Sequence, residues 1–216
     1  MLSDRLRVLY LHGFASGPTS RKARFFAEKL ASRGLTLEIP DLTEGNFEGL
    51  TITGQLKVIE RLCKNEPIVL IGSSLGGYLA ALYAARRPEV DRLLLLAPAF
   101  HFYQLWASEL GPDRLDLWRK AGSMPIFHYG ADCEMPLSYA LMQDAETYEA
   151  FPNFHQPALI FHGTRDAVVP VQHALAFAQS HENVRLIPLE SGHELTDVLD
   201  AIWQEGQDFL LRRRGV

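Results

Sequence analysis

Ser74 sits in Gly72-Ser73-Ser74-Leu75-Gly76, between the apolar run Pro67–Ile71 and the helix-forming stretch Tyr78–Arg87. A strand, then G-x-S-x-G, then a helix is the setting in which a serine hydroxyl is thrust out on a sharp turn and acts as a nucleophile. The residues two before and two after such a serine crowd each other, so neither can carry bulk. Gly72 and Gly76 meet that demand, and Gly77 lets the new helix pack close. A serine in this role needs a base, an acid to orient the base, and donors for the oxyanion that develops on the substrate.

The chain offers one of each in a suitable place. The first apolar run ends in His12-Gly13-Phe14-Ala15, a glycine-loosened loop that can bring a backbone N–H beside the serine. The expected oxyanion donors are the N–H of Phe14 and that of Leu75, the latter at the positive end of the helix after the elbow. His12 borders that loop and is expected to shape it rather than transfer protons. Ala158–Phe161 leads through His162-Gly163 to Asp166, placing a carboxylate in a strand-to-helix loop. His162 falls within the strand and reads as a buried, satisfied imidazole. After Val184–Ile187 comes Ser191-Gly192-His193-Glu194, so His193 occupies the loop after the last strand. The expected chemistry is acyl transfer. His193 takes the Ser74 proton and returns it to the leaving group, while Asp166 holds the imidazole in the right tautomer. Glu190 and Asp197 are the fallback acids. This chemistry calls for no metal or organic cofactor.

These groups must be carried by a scaffold, and the pattern names one. Strands are expected near Arg7–Leu11, Leu35–Ile39, Ile68–Ile71, Arg92–Leu96, Ala158–Phe161 and Val184–Ile187. Helices are expected near Arg21–Arg33, Ile52–Lys64, Leu75–Arg87, Val171–His181 and Glu194–Leu211. Strands apolar throughout, alternating with helices, imply a parallel sheet covered on both faces, with functional groups at the strands' carboxyl ends. Residues 101–156 break the rhythm. They contain no strand of similar quality, are rich in aromatics, and suggest helices around Leu115–Trp118 and Leu137–Tyr148. An insertion of this length reads as a helical cap over a core formed by residues 1–100 and 157–216. Phe102, Trp106 and Trp118 form either an apolar acyl pocket or the cap's own small core, and His101 and His128 are lesser candidates for substrate contact.

The order Ser74, Asp166, His193, each after a separate strand, resembles the α/β-hydrolase fold. The opening Tyr10-Leu11-His12-Gly13-Phe14-Ala15-Ser16-Gly17-Pro18, with Ser20-Arg21-Lys22 and Gly72-Ser73-Ser74-Leu75-Gly76-Gly77, is similar to the small bacterial YqiA-type esterases. That resemblance implies a minimal, mostly parallel sheet of about six strands in a three-layer arrangement, and cytoplasmic hydrolysis of acyl esters or thioesters. The leading expectation is a serine carboxylesterase acting on a small-molecule acyl substrate. Acyl-CoA thioesterase, peptidase and carbon–carbon bond hydrolase are alternatives on the same triad, and a catalytically silent binding protein is the non-enzyme alternative. Arg21 and Lys22 read as a solvated helix start, with contact to an anion such as a CoA phosphate as the alternative.

Composition narrows the partners. The 216 residues carry a net charge of −5, which disfavours nucleic acid, since phosphate binding needs a basic surface. Arg212-Arg213-Arg214 is the one basic run, read as cations complementing a helix C-terminus. Val8–Leu11 is too short for a membrane span or a secretory signal. Cys63 and Cys133 have no metal-binding spacing and suggest no disulfide, with Cys63 on the apolar side of a helix.

Overall fold

A computed structural model describes residues 6–64 and 66–212. The chain begins with β1 (Arg7–Leu11), α1 (Arg21–Ala31), the short β2 (Leu37–Glu38), α2 (Ile52–Cys63), β3 (Ile68–Ser73), α3 (Leu75–Ala84) and β4 (Val90–Leu96). It closes with β7 (Ala158–Gly163), α6 (Val171–Ser180), β8 (Val184–Leu189) and α7 (Leu199–Leu211). Between β4 and β7 lie α4 (Phe102–Ala121), β5 (Ser123–His128), β6 (Cys133–Ser138) and α5 (Ala140–Ala145).

Six strands form one sheet in the order β2-β1-β3-β4-β7-β8, every neighbour parallel. Alternation along the strands sends successive side chains to opposite faces. Leu9, Leu11, Leu70, Leu93 and Ile160 join the core beneath α2, α3 and α6. Val8, Tyr10, Ile71, Leu94 and Phe161 join the core beneath α1 and α7. This is the three-layer α/β arrangement expected from the sequence. After β2 the chain crosses to the far side of β1 and lays down β3 there, so strand order reverses between β1 and β3. The crevice at the carboxyl ends of such a pair is where open parallel sheets bind ligands.

Helix starts follow local chemistry. Ser20 caps α1 by accepting the Ala23 N–H, and Thr51 caps α2 by accepting the Gly54 N–H. The turn from β3 into α3 has a different origin. Ser74 adopts φ 53°, ψ −117°, a conformation side chains rarely take. It is held there by bonds from Ser74 N–H to Leu96 O (2.9 Å) and from Ala99 N–H to Ser74 O (3.0 Å). A Cβ on Gly76 would stand 2.1 Å from Leu11 O, and one on Gly72 would stand 2.4 Å from Gly76 O. The strand-to-helix reversal therefore closes only because two Cβ atoms are missing.

Several boundaries differ from expectation. The last helix begins at Leu199, not near Glu194, because Leu195 takes φ 55° and turns its side chain into the core. Residues 101–156 are not purely helical. β5 and β6 pair antiparallel, with Pro125 opposite Pro136. Each run carries a proline, which a central strand excludes, but a two-stranded ribbon has an outer edge on each strand where a missing N–H costs no ladder bond. α4 is one long run kinked at Gly111 (φ 73°) before Pro112. Phe102, Trp118, Leu137, Leu141 and Met142 of this segment pack into the same core as α2, α3 and α6. Cys63 is buried and Cys133 exposed, both free thiols. Arg212 follows α7, whereas Arg213 and Arg214 lie outside the described residues.

The Cβ clash at Gly76 involves backbone, which cannot swing aside. Gly76→Ala is expected to destabilise the protein by about 3 kcal/mol or more. Gly17→Ala, where a Cβ meets nothing within 4 Å, is expected to stay within about 0.5 kcal/mol of wild type. Urea unfolding of the two variants checks the contrast.

Candidate active site

Ser74, Asp166 and His193, in chain order, are separated by 92 and then 27 residues, and the parallel sheet brings them together at one end. His193 Nε2 is 3.0 Å from Ser74 Oγ, and His193 Nδ1 is 2.8 Å from Asp166 Oδ2. An ionised carboxylate only accepts, so Nδ1 carries the proton. The lone pair of Nε2 then faces the serine hydroxyl, the arrangement a general base requires.

Asp166 is fully buried at its side chain. Its Oδ1 accepts the N–H groups of Val168 (2.9 Å) and Val169 (2.8 Å). His162 lies behind it, with Nε2 donating to Val169 O at 2.8 Å and standing 3.3 Å from Asp166 Oδ2. Burial alone would raise the Asp166 pKa. Hydrogen bonds from His162, His193 and the Val169 N–H outweigh it and hold the carboxyl well below its ordinary range. His162 is thus buried as expected but only half satisfied, since its Nδ1 has no partner among the described residues. Glu190 is engaged with Thr164 and Asp197 with Ser191, which leaves Asp166 as the carboxylate on His193.

The loop after β1 runs alongside the elbow, with a Cβ on Gly13 only 3.4 Å from the Ser74 Cβ. Neither Phe14 N–H nor Leu75 N–H has a hydrogen-bond partner among the described residues. Leu75 opens α3, whose first N–H groups have no intrahelical acceptor. Both expected oxyanion donors are therefore unspent among the described residues, on the two segments that flank Ser74. His12 shapes the loop. Its Nε2 accepts the Leu42 N–H at 3.2 Å and its Nδ1 donates to Gly13 O at 2.9 Å. Burial lowers its pKa and favours this neutral form.

The aromatic residues divide. Trp118 is buried, donates its indole N–H to Leu137 O, and packs edge-on to Tyr139. Phe102 is buried and stacks on Tyr78. Trp106 is half-buried and meets the Phe14 ring edge-on at 4.9 Å, next to the candidate oxyanion loop. The β5–β6 turn touches the same loop, with Gly130 N–H 3.4 Å from Ala15 O, and its His128 ring stands edge-on at 4.7 Å to Phe47, which packs on Phe14 from the β2–α2 connection. His101 instead faces His173 and Phe151.

One expectation fails. Lys22 is neither solvated nor open to an external anion. Its side chain is 9% exposed, and Nζ binds Glu194 at both its backbone O (2.9 Å) and Oε2 (3.1 Å). A signal was present, since Lys22, Phe26 and Leu30 follow i, i+4, i+8 spacing and share one buried helix face.

The family model described as "Uncharacterised protein family (UPF0227)" matches residues 7–209. Among curated proteins, the monoacylglycerol lipase ABHD6 of Mus musculus is 32% identical over 104 residues, 43% of this chain and 30% of that protein. The monoacylglycerol lipase abhd6-B of Xenopus laevis is 26% identical over 178 residues, 76% of this chain and 49% of that protein. The chain thus spans half or less of these relatives' length. Among solved structures, Est1E from Butyrivibrio proteoclasticus with bound ferulic acid superposes with a TM-score of 0.83 at 20% identity, covering 98% of this chain and 91% of that one. Alpha/beta hydrolase domain-containing protein 10 from mouse gives 0.79 at 21%, covering 94% and 88%. The monoacylglycerol lipase of Paleococcus ferrophilus gives 0.74 at 16%, covering 95% of each chain. At these identities the likeness is one of fold.

A carboxyl whose folded pKa lies below its unfolded value of about 3.9 stabilises the fold fully above that value. The contribution is lost as pH falls towards the folded value. The stability difference between wild type and Asp166→Asn is therefore expected to shrink as pH falls below about 4. Urea unfolding between about pH 3 and pH 7 measures it. A difference undiminished at the acid end would contradict the assignment.

Proposed function

The chain belongs to the uncharacterised protein family UPF0227, within the α/β-hydrolase superfamily, and we propose that it is a serine hydrolase of carboxylic esters or thioesters. The observation that carries this reading is the unbroken relay from Ser74 Oγ through His193 to a buried Asp166, at 3.0 and 2.8 Å. The names of the relatives point to ester hydrolysis as well.

In this mechanism the substrate carbonyl oxygen is received by the N–H groups of Phe14 and Leu75. Ser74 Oγ attacks the carbonyl carbon as its proton passes to His193 Nε2. The positive imidazolium is stabilised by Asp166, which stays ionised because its pKa is depressed. The tetrahedral intermediate collapses, the C–O or C–S bond breaks, and Nε2 returns the proton to the alkoxide or thiolate. Water then adds to the acyl-enzyme with His193 again as base and releases the acid. A donor of the oxyanion hole is typically worth ~10²–10³ in turnover. Residues 101–156 serve as the cap in this reading. Trp106, against Phe14, is the cap aromatic that meets the acyl chain, while Phe102 and Trp118 support it from the core.

A fluorophosphonate probe should add one adduct to wild type and none to Ser74→Ala; an unlabelled wild type would favour the silent binder. His193→Ala and Asp166→Asn should each lower kcat by ~10⁴ or more while retaining the fold. A p-nitrophenyl ester series run beside acyl-CoA thioesters separates esterase from thioesterase. Trp106→Ala should lower kcat/KM for long-chain esters by about 10-fold, the scale of a few buried methylenes, and spare short ones. Equal losses on both would assign Trp106 to packing alone.

A further inference from the structure

The loop that carries His193 is tied down on both sides of the imidazole, by different parts of the molecule. On the N-terminal side the anchors belong to the Asp166 loop. Arg165 N–H donates to Ser191 O at 3.0 Å, Arg165 Nη2 donates to Glu190 O at 3.0 Å, and Thr164 N–H donates to Leu189 O at 2.8 Å. A Cβ on Gly163 would lie 2.4 Å from Ser191 O, so this contact is backbone on backbone. These bonds place the acid and the start of the base loop as one unit. A clasp from Ser191 Oγ to Asp197 Oδ1 at 2.5 Å closes the loop on itself without joining it to the rest of the site.

On the C-terminal side the tie is Lys22. Its ammonium, in the first turn of α1, donates to the backbone oxygen of Glu194, the residue directly after His193. Leu195 follows with φ 55°, so this stretch is not helical and the Glu194 carbonyl has no intrahelical N–H to receive. The second contact of Lys22 is with a carboxylate that is 74% exposed. A solvated partner of that kind contributes little, so it does not by itself explain a buried cation. The Glu194 backbone oxygen, by contrast, accepts from no other donor among the described residues. α1 starts where the loop containing Phe14 ends, with Ser20 N–H bonded to Gly17 O at 3.1 Å. One side chain therefore joins the segment leading from the candidate oxyanion hole to the residue next to the base.

We propose that Lys22 is a positioning residue for His193, holding the base loop in register with the oxyanion loop through its bond to the Glu194 backbone carbonyl. The inference rests on the serine-hydrolase reading above. Lys22 touches neither Ser74 nor His193 and takes no part in proton transfer. Its loss frees the C-terminal side of the loop while the Asp166 side stays fixed, so the imidazole can turn away from Ser74 Oγ. A displacement of about 1 Å at such a group can lower turnover ~10²-fold without affecting ground-state binding.

The test compares Lys22→Met, Lys22→Arg and Glu194→Gln in the full-length protein, using steady-state hydrolysis of a p-nitrophenyl ester and the rate of fluorophosphonate labelling at Ser74. Circular dichroism and thermal melts verify folding. Lys22→Met is expected to lower kcat and the labelling rate by ~10–10²-fold with KM within about three-fold of wild type. Lys22→Arg, which keeps a donor and a charge, should recover most of that loss. Glu194→Gln, which removes the carboxylate and keeps the carbonyl, should lose far less than Lys22→Met. A folded Lys22→Met with wild-type kcat and labelling rate would overturn the proposal. So would a Glu194→Gln as impaired as Lys22→Met, because the carboxylate would then be the operative contact. If Lys22→Met does not fold, Lys22→Gln is compared in the same way; failure of both to fold would make Lys22 a stability residue and equally overturn it. A wild type that neither turns over ester nor labels at Ser74 would instead refute the underlying hydrolase reading.

Discussion

Backbone must touch backbone at the end of β3, and the position of Ser74 and of the loop beside it follows from that contact. Gly72, Gly76 and the Leu11 carbonyl approach so closely that one added carbon on either glycine would overlap a main-chain atom. That closeness forces Ser74 into φ 53° and turns its hydroxyl outward at the reversal of strand order. It also sets the first turn of α3 beside the loop after β1, and the N–H groups of Leu75 and Phe14 on those two segments are unspent among the described residues. The strain at Ser74 is stored locally and is held by the Ser74 and Ala99 backbone bonds to the β4 side of the turn.

Electrostatics at the other end of the relay follows a different logic. Asp166 is buried, which penalises its charge, yet two main-chain N–H groups and two histidines surround it. A carboxylate with three hydrogen-bond donors on it and a second imidazole alongside stays ionised where an unpaired one would take up a proton. His193 then has only one sensible tautomer, and its free lone pair can point only towards Ser74. The imidazole is thus oriented by a carboxylate that its hydrogen bonds hold in the ionised form.

The segment between β4 and β7 illustrates where sequence patterns lose force. Phe102 and Trp118 carry the same aromatic character as Trp106, but the first two are packed into the main core and only Trp106 borders the candidate oxyanion loop. The β5–β6 hairpin was hidden by Pro125 and Pro136, which sit opposite each other where no further strand needs their N–H groups. Lys22 was misread for the converse reason. A lysine in a first helical turn looks solvated until its face is compared with Phe26 and Leu30.

Local composition determined the elements of the sheet, the helices between them, and the elbow at Ser74. Such features depend on neighbours a few residues apart, through side-chain alternation, capping and the absence of Cβ atoms. The order of strands and histidine, aspartate and serine along the chain followed from the same short-range signals. Asp166 was singled out ahead of Glu190 and Asp197 by its place after β7, whereas tertiary structure alone decided which aromatic residue borders the candidate oxyanion loop and that Lys22 is buried against Glu194. Those outcomes depend on distances between segments tens to more than a hundred residues apart, where a rotation or register shift too small to alter any local pattern would make or break a hydrogen bond.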